Sequence, residues 1–147
     1  MGQRRRAREC ALQMLYQIDQ TGIAPEDLFP QFWVGQPAHD EVRNFAERLV
    51  LGVSEHRDEM DGLITGSADH WRIDRMAVVD RNVLRMALFE MVRERGTPAV
   101  VVIDEAIEVA KKYGSQESGG FINGILDAVR LRMEHDRSDP SPPAGDG

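Results

Sequence analysis

The sequence predicts an all-helical protein organised as one domain. Its 147 residues are 41% apolar, enough for a single compact domain to bury roughly 70% of the surface that the unfolded chain exposes. Apolar residues recur with helical spacing, and prolines or glycines separate the periodic stretches. The longest uninterrupted apolar run is residues 99–103, far shorter than the roughly 20 residues that cross a bilayer.

The first helix is predicted to extend from Ala7 to Thr21. Apolar residues at positions 7, 10, 11, 14, 15 and 18 follow the spacing of one helix face. Gly22 suits the left-handed conformation that often follows a helix end. Cys10 lies on this face, so we expect a packed side chain rather than a nucleophile. It is the only cysteine and cannot form an internal disulfide, which favours a reducing compartment.

Prolines and glycines dominate residues 22–40, so we expect a short helical turn started by Pro25 and then a loop. A long helix is expected at about residues 38–56, although Gly52 lowers its intrinsic stability. A shorter helix is expected at residues 57–64. The apolar stripe of the long helix consists of Val42, Phe45, Ala46, Leu49 and Val53.

The polar stretch GSADHWRID at residues 66–74 is the predicted hinge between two halves of the chain, with Trp71 as its one large apolar anchor. The next helix, residues 79–92, has apolar side chains on opposite sides. This pattern predicts a helix that is buried on several sides. Its Glu90 is therefore predicted to be a structural carboxylate, bonded to backbone N–H groups or to an arginine.

Residues 99–103 are rich in β-branched side chains, which are common in strands. The flanking sequence nevertheless favours a helix. Thr97 and Pro98 suit the N-cap and first helical positions, helical spacing continues to Tyr113, and Gly114 suits the helix end.

A last helix is predicted after Ser115 or Ser118, either of which can cap it. Residues 1–134 are expected to form the folded domain. Residues 135–147 are expected to be a disordered tail, because they contain three prolines among charged and small side chains. The apolar face of the last helix consists of Phe121, Ile122, Ile125, Leu126 and Val129.

The sequence contains no recognisable catalytic or metal-binding pattern. Phosphate-binding loops, dinucleotide fingerprints and nucleophile-elbow sequences do not occur, and no histidine has a partner at metal-ligand spacing. We therefore expect no enzymatic activity, no cofactor and no metal, and a cytoplasmic protein. The four histidines are His39, His56, His70 and His135.

Positive charge is concentrated at the start of the chain. Its first four arginines are Arg4, Arg5, Arg6 and Arg8. Without them, 14 of the 18 basic residues remain against 25 acidic ones, a formal charge of −11. On the first helix, a second stripe is predicted from Arg5, Arg8, Leu12 and Tyr16. Clustered guanidinium groups beside an aromatic ring favour binding of single-stranded nucleic acid. The alternative is a merely solvated basic end, since 16 of the 18 basic residues are arginine.

Four segments resemble the NusB family of bacterial transcription antitermination factors. They are RRRARECALQMLY at residues 4–16, DRNVLRMALFEM at 80–91, AVVVIDEAIEVAKKYG at 99–114 and FINGILD at 121–127. They occur in order across most of residues 4–130. The resemblance implies two small helical subdomains packed together, here at about residues 1–70 and 71–134, with about six to seven helices in all.

The resemblance also implies a function. It is binding of the boxA segment of nascent RNA, jointly with the ribosomal small-subunit protein NusE. The complexes so formed keep RNA polymerase from terminating during ribosomal RNA synthesis, and the factor itself catalyses nothing. By position, the resemblance implies that Asp80 contacts NusE. The implied RNA contacts are Arg5, Arg6, Arg8, Tyr16, Glu117 and Phe121.

Each implied contact also has an ordinary structural interpretation. Phe121 can be a core residue, Tyr16 can cover the second long helix, and Asp80 can be a first-turn acid favoured by the helix dipole. Glu117 repels phosphate unless it bonds to a base edge. The Asn123-Gly124 pair is expected to allow close helix packing.

One residue departs from the family pattern. Asp104 stands where the family usually has asparagine, and a buried aspartate needs a cation or backbone donors. Of two other functions, only the first stays open. One is a helical protein–protein adapter, or a homodimer, with incidental RNA affinity. The other is an RNA methyltransferase with a NusB-like first domain, which we do not expect because such enzymes need a further cofactor-binding domain.

Overall fold

The protein is described by a computed structural model over residues 2–68, 72–94 and 96–138. These residues form seven α-helices and one 3₁₀ turn and contain no strand, which confirms the predicted all-helical fold. No helix among them is long and apolar enough to cross a membrane. Trp71, the predicted hinge anchor, lies outside the described residues. The helices are α1 Gly2–Thr21, α2 Pro25–Gly35, α3 Asp40–Glu55, α4 Arg57–Ser67, α5 Val78–Val92, α6 Ala99–Tyr113 and α7 Ser118–Ser138, with the 3₁₀ turn at Ile73–Arg75.

Helix α5 is the centre of the packing. It contacts α1, α3, α4, α6 and α7, and its buried residues include polar as well as apolar side chains. The prediction that this helix is buried on several sides is confirmed. Apolar residues from the whole described chain join one continuous core, so the predicted halves share their interior.

The predicted apolar face of α1 lies in this core. Ala7, Cys10, Ala11 and Met14 are all completely buried. Burial raises the pKa of the Cys10 thiol, as expected because a low-dielectric environment disfavours the thiolate. Cys10 is therefore a packed side chain, as predicted.

The segment predicted as a turn and a loop is instead an eleven-residue helix, α2. Pro25 starts it, but Pro30 lies inside it and removes one backbone donor. The burial of three large side chains, Leu28, Phe32 and Trp33, offsets this lost backbone hydrogen bond. The Trp33 indole also donates a hydrogen bond to Glu47 at 2.8 Å.

Several helix ends differ from the prediction, and α1 begins at Gly2 rather than at Ala7. Pro98 is the N-cap of α6 rather than its first helical residue, so the helix begins at Ala99, one residue later than predicted. Helix α7 continues to Ser138, so the first residues assigned to a disordered tail at 135–147 are helical. Residues 139–147 lie outside the described residues.

Gly52 of α3 lies against a neighbouring helix, whereas Gly124 of α7 lies in open space. A Cβ atom at Gly52 would overlap the ring of Phe89, so α3 and α5 approach each other closely only because residue 52 is glycine. No other group lies within 4 Å of the position a Cβ would take at Gly124. Asn123 and Gly124 are both exposed, and the predicted close packing at this pair is wrong.

A largely buried ionic cluster joins α1, α4 and α5. Asp19 accepts two hydrogen bonds from Arg81, at 2.8 and 2.6 Å, and one from Asn82 at 2.9 Å. The hydrogen bond from Arg81 is the main reason why the pKa of Asp19 falls to about 2. Arg85 contacts Asp19 at 3.2 Å and pairs with Asp61 at 2.7 Å. The polar residues of the DRNVLRMALFEM segment thus hold helices together.

Candidate nucleic-acid interface

Arg8 is not available to a ligand. Its side chain is 4% exposed and binds Glu90 through two hydrogen bonds of 2.8 Å each. Leu12 is also buried. The predicted open stripe is therefore wrong at Arg8 and Leu12, because Arg8 faces Glu90 of α5 and both side chains are buried. The prediction that Glu90 is a structural carboxylate bonded to an arginine is confirmed.

Arg5 is accessible but paired. Its Nε and Nη2 atoms donate to the two carboxylate oxygens of Glu105 on α6, at 3.0 and 2.7 Å. The same hydrogen bond is the main cause of the lowered pKa of Glu105. One third of the Arg5 side chain remains exposed, and three of the five guanidinium N–H groups are not used by Glu105. Arg5 can therefore contact a phosphate without leaving its partner.

Arg6 and Arg4 lie on other sides of the same helix end. Arg6 donates to the Gln36 side chain at 3.1 Å, next to the end of α2. Arg4, which was not among the predicted contacts, is exposed and lies 4.2 Å from the centre of the Phe45 ring. Within the described part of the chain, the side chain of Arg4 has no hydrogen bond or ion pair. The run of arginines pointed to this residue, but the sequence could not show which guanidinium is unpaired.

Tyr16 is 43% exposed. It follows Arg5 by eleven residues, about 16 Å along the helix axis and on nearly the same face. A residue this exposed presents part of its ring to solvent, whichever helix the rest of the side chain covers. Tyr16 is therefore an accessible aromatic surface on α1.

Three of the remaining predicted residues lie together. Asp80, Glu117 and Phe121 line one depression of about 310 Å³, here called the α7 groove. Glu117 is exposed and Phe121 is half-buried. Asp80 is nearly buried and accepts a 2.7 Å hydrogen bond from Ser118 at the start of α7. The rest of the groove lining is Arg75, Met76 and Ala77.

The α7 groove has two consequences for the predicted contacts. Asp80 fixes the beginning of the helix that carries Phe121, so it has a structural role whatever else it contacts. Phe121 is neither wholly core nor fully exposed, and its ring forms part of an accessible surface. The residue implied for the protein partner thus adjoins two of the residues implied for RNA.

Asp104 does not need a compensating cation. Its side chain is exposed on α6, so the expectation of a costly buried aspartate at this family position is wrong. Among the residues that the structure describes, no group of three or more histidine, cysteine, aspartate or glutamate side chains could hold a metal ion.

Comparison with known proteins identifies the family. The NusB family profile matches residues 5–130. The transcription antitermination protein NusB of Anaeromyxobacter dehalogenans (strain 2CP-1) is 53% identical over 127 residues, which cover 86% of this chain and 89% of that protein. NusB from Desulforapulum autotrophicum is 42% identical over 141 residues, which cover 95% of this chain and 99% of that protein.

Solved structures agree in fold. NusB of T. maritima superimposes with a TM-score of 0.79 at 35% sequence identity, covering 89% of this chain and 96% of the other. A chain from the crystal structure of the antitermination factors NusB and NusE in complex with dsRNA gives a TM-score of 0.81 at 29% identity, with 90% and 98% covered. On the family match and the identity to these relatives, this chain belongs to the NusB family.

Proposed function

We propose that this protein is a cytoplasmic transcription antitermination factor that binds boxA-type RNA together with the ribosomal small-subunit protein NusE. It acts in the RNA polymerase complexes that transcribe ribosomal RNA, and it catalyses no reaction itself. Its close relatives are named as antitermination proteins, and a structural neighbour is NusB bound with NusE and RNA. The observation that carries the proposal is the α7 groove, where Asp80 adjoins Glu117 and Phe121.

The groove suits joint binding of RNA and a protein. The half-buried ring of Phe121 offers a surface on which a base can stack. The Glu117 carboxylate can accept a hydrogen bond from a base amino group, as carboxylates do from cytosine. Asp80 uses one oxygen for Ser118 and keeps acceptor capacity for a partner's donor. RNA and NusE meeting here would each extend the surface that the other contacts.

The basic end of α1 supplies phosphate contacts to the same strand. Arg5 and Arg6 are both partly exposed, and each uses only some of its N–H donors within the protein. Arg8 acts differently, as a positioning residue that anchors α1 to α5 through Glu90. The acidic body repels RNA, so affinity for RNA alone is modest and a partner protein is needed.

The proposal is tested by titrating labelled boxA-type RNA in the presence of NusE. The double substitution Arg5→Gln and Arg6→Gln is expected to weaken binding and to reduce the log–log salt slope by about 1.4, which is about 0.7 per phosphate. Arg57→Gln with Arg93→Gln, two exposed arginines outside α1, is the matched control. If the Arg5 and Arg6 variant binds like the parent protein, the proposed RNA face is wrong.

A second candidate function is a protein–protein adapter, or a homodimer, with incidental RNA affinity. The apolar lining of the α7 groove, including Met76 and Ala77, favours a protein partner there. Light scattering with and without NusE separates the two functions. A stable NusE complex or homodimer whose formation is indifferent to RNA supports the adapter. Mutual strengthening of RNA and NusE binding supports the antitermination factor.

A further inference from the structure

The beginning of α1 and the middle of α3 enclose a second depression, here called the α1–α3 cleft. Its volume is about 260 Å³, and it contains none of the residues assigned above to RNA or to NusE. Five of its six lining residues are polar, and two of them carry guanidinium groups. The lining residues are Gln3, Arg4, Glu41, Asn44, Phe45 and Arg48.

A buried aromatic ring holds both guanidinium groups. Phe45 is 5% exposed, and its ring centre lies 4.2 Å from the Arg4 guanidinium carbon and 5.2 Å from that of Arg48. Cation–π contact engages the face of a guanidinium group and leaves its N–H edge for other partners. The ring therefore positions two cations without using their donors.

Both guanidinium groups can accept an external anion. Among the described residues, the Arg4 guanidinium has no hydrogen-bond or ion-pair partner. Arg48 donates to a single oxygen of Glu94, at 3.3 and 3.1 Å, and its side chain is 52% exposed. Exposed ion pairs of this kind contribute little to stability, so a phosphate can replace Glu94 as the partner of Arg48.

We propose that the α1–α3 cleft binds a phosphodiester group of the same RNA strand that contacts Arg5 and Arg6. This inference rests on the proposed function. Arg5 reaches towards α6, where it binds Glu105, whereas Arg4 reaches towards α3 and Phe45. The beginning of α1 thus carries a guanidinium group on its α6 side and another on its α3 side. An RNA strand that crosses the beginning of α1 from the α6 side reaches the α1–α3 cleft.

The charge of the cleft favours a diester over a terminal phosphate. Glu41 lines the same cleft and opposes negative charge. A diester carries one negative charge, whereas a phosphomonoester carries nearly two at neutral pH. The amides of Gln3 and Asn44 are neutral and can bond to ribose hydroxyls or base edges. The cleft therefore suits an internal nucleotide of a strand.

The test compares two RNAs in the presence of NusE, a minimal boxA-type RNA and the same RNA extended at both ends. Arg4→Gln with Arg48→Gln is expected to weaken binding of the extended RNA about tenfold, the effect of losing one charge-assisted contact. The loss for the minimal RNA is smaller. The salt slope for the extended RNA falls by about 0.7. Arg43→Gln is the control, because Arg43 is an exposed arginine of α3 that stacks on Trp33 outside the cleft.

A second variant, Asn44→Asp, keeps both arginines and adds a negative charge to the cleft. It is also expected to weaken binding of the extended RNA more than that of the minimal RNA. If both variants bind the extended RNA like the parent protein, or lose equal affinity for both RNAs, the α1–α3 cleft is not an RNA site. The proposed function still stands in that case. Failure of the parent protein to bind either RNA overturns both.

Discussion

Replacing Arg8 by methionine is expected to destabilise the protein strongly without removing an RNA contact. The substitution leaves Glu90, which is 1% exposed, without the guanidinium that donates both of its 2.8 Å hydrogen bonds. The polar partner is removed but the buried carboxylate stays. This is the arrangement in which a buried ion pair is most sensitive to mutation.

The magnitude follows from the burial of the pair. Breaking a buried ion pair by removing one partner costs about 3–5 kcal/mol, a large part of the roughly 5–15 kcal/mol that stabilises a typical domain. A protein of this size loses about 2–4 °C of melting temperature per kcal/mol, so the expected decrease is about 6–20 °C. Replacing both partners, by Arg8→Met with Glu90→Leu, should recover most of the loss because no unpaired charge remains.

Urea and thermal unfolding followed by circular dichroism measure both variants, and RNA titration follows for those that fold. Arg93→Met is the control, since the pair of Arg93 with Glu59 is exposed and should contribute less than about 1 kcal/mol. A parent-like melting temperature for the single variant would refute the stabilising role of the pair. A stable double variant that no longer binds RNA would instead make Arg8 a direct RNA contact.

Three further substitutions test other parts of the structure. Asp19 has a lowered pKa of about 2 against an ordinary 3.8, so its contribution, about 2 kcal/mol, is present above pH 4 and lost as the pH falls towards 2. Asp19→Asn should remove this dependence of the unfolding free energy on pH, which urea unfolding between pH 2 and 7 measures. Gly52→Ala places a methyl group in the ring of Phe89 and should destabilise by about 1–3 kcal/mol in the same assay, whereas a neutral effect would show that the helices adjust. Glu105→Gln removes the charge that neutralises Arg5 and should strengthen RNA binding up to about fivefold; weaker binding would mean that Glu105 orients Arg5.

Helical periodicity predicted the positions of the long helices and their buried faces. The face of α1 that carries Cys10 and Met14 is completely buried, because a 3.6-residue repeat leaves one surface apolar whatever the tertiary partner. The structural role of Glu90 was also predictable, since a carboxylate amid apolar residues must find a donor. Membership of the family followed from four segments of the sequence, and the comparisons confirmed it.

Long-range partners were not predictable from local pattern. Arg8 and Arg4 look alike in the sequence, yet one is buried against a carboxylate 82 residues away and the other lies exposed on a ring of α3. Helix α2 extends beyond the single turn predicted after Pro25, because the burial of Phe32 and Trp33, which depends on tertiary partners, offsets the donor lost at Pro30. The packing at Gly124 was mispredicted, and the contact of Gly52 with Phe89 was not predicted, for the same reason: whether a ring lies next to a glycine depends on tertiary packing.

The most direct test of the proposed joint surface is a linkage measurement between RNA and NusE. The affinity of boxA-type RNA is measured with and without saturating NusE, and the affinity of NusE with and without saturating RNA. If both ligands meet at the α7 groove, each should strengthen the other by the same factor, and Phe121→Ala should reduce that factor. Affinities that do not depend on the second ligand would contradict a shared surface formed by Asp80, Glu117 and Phe121.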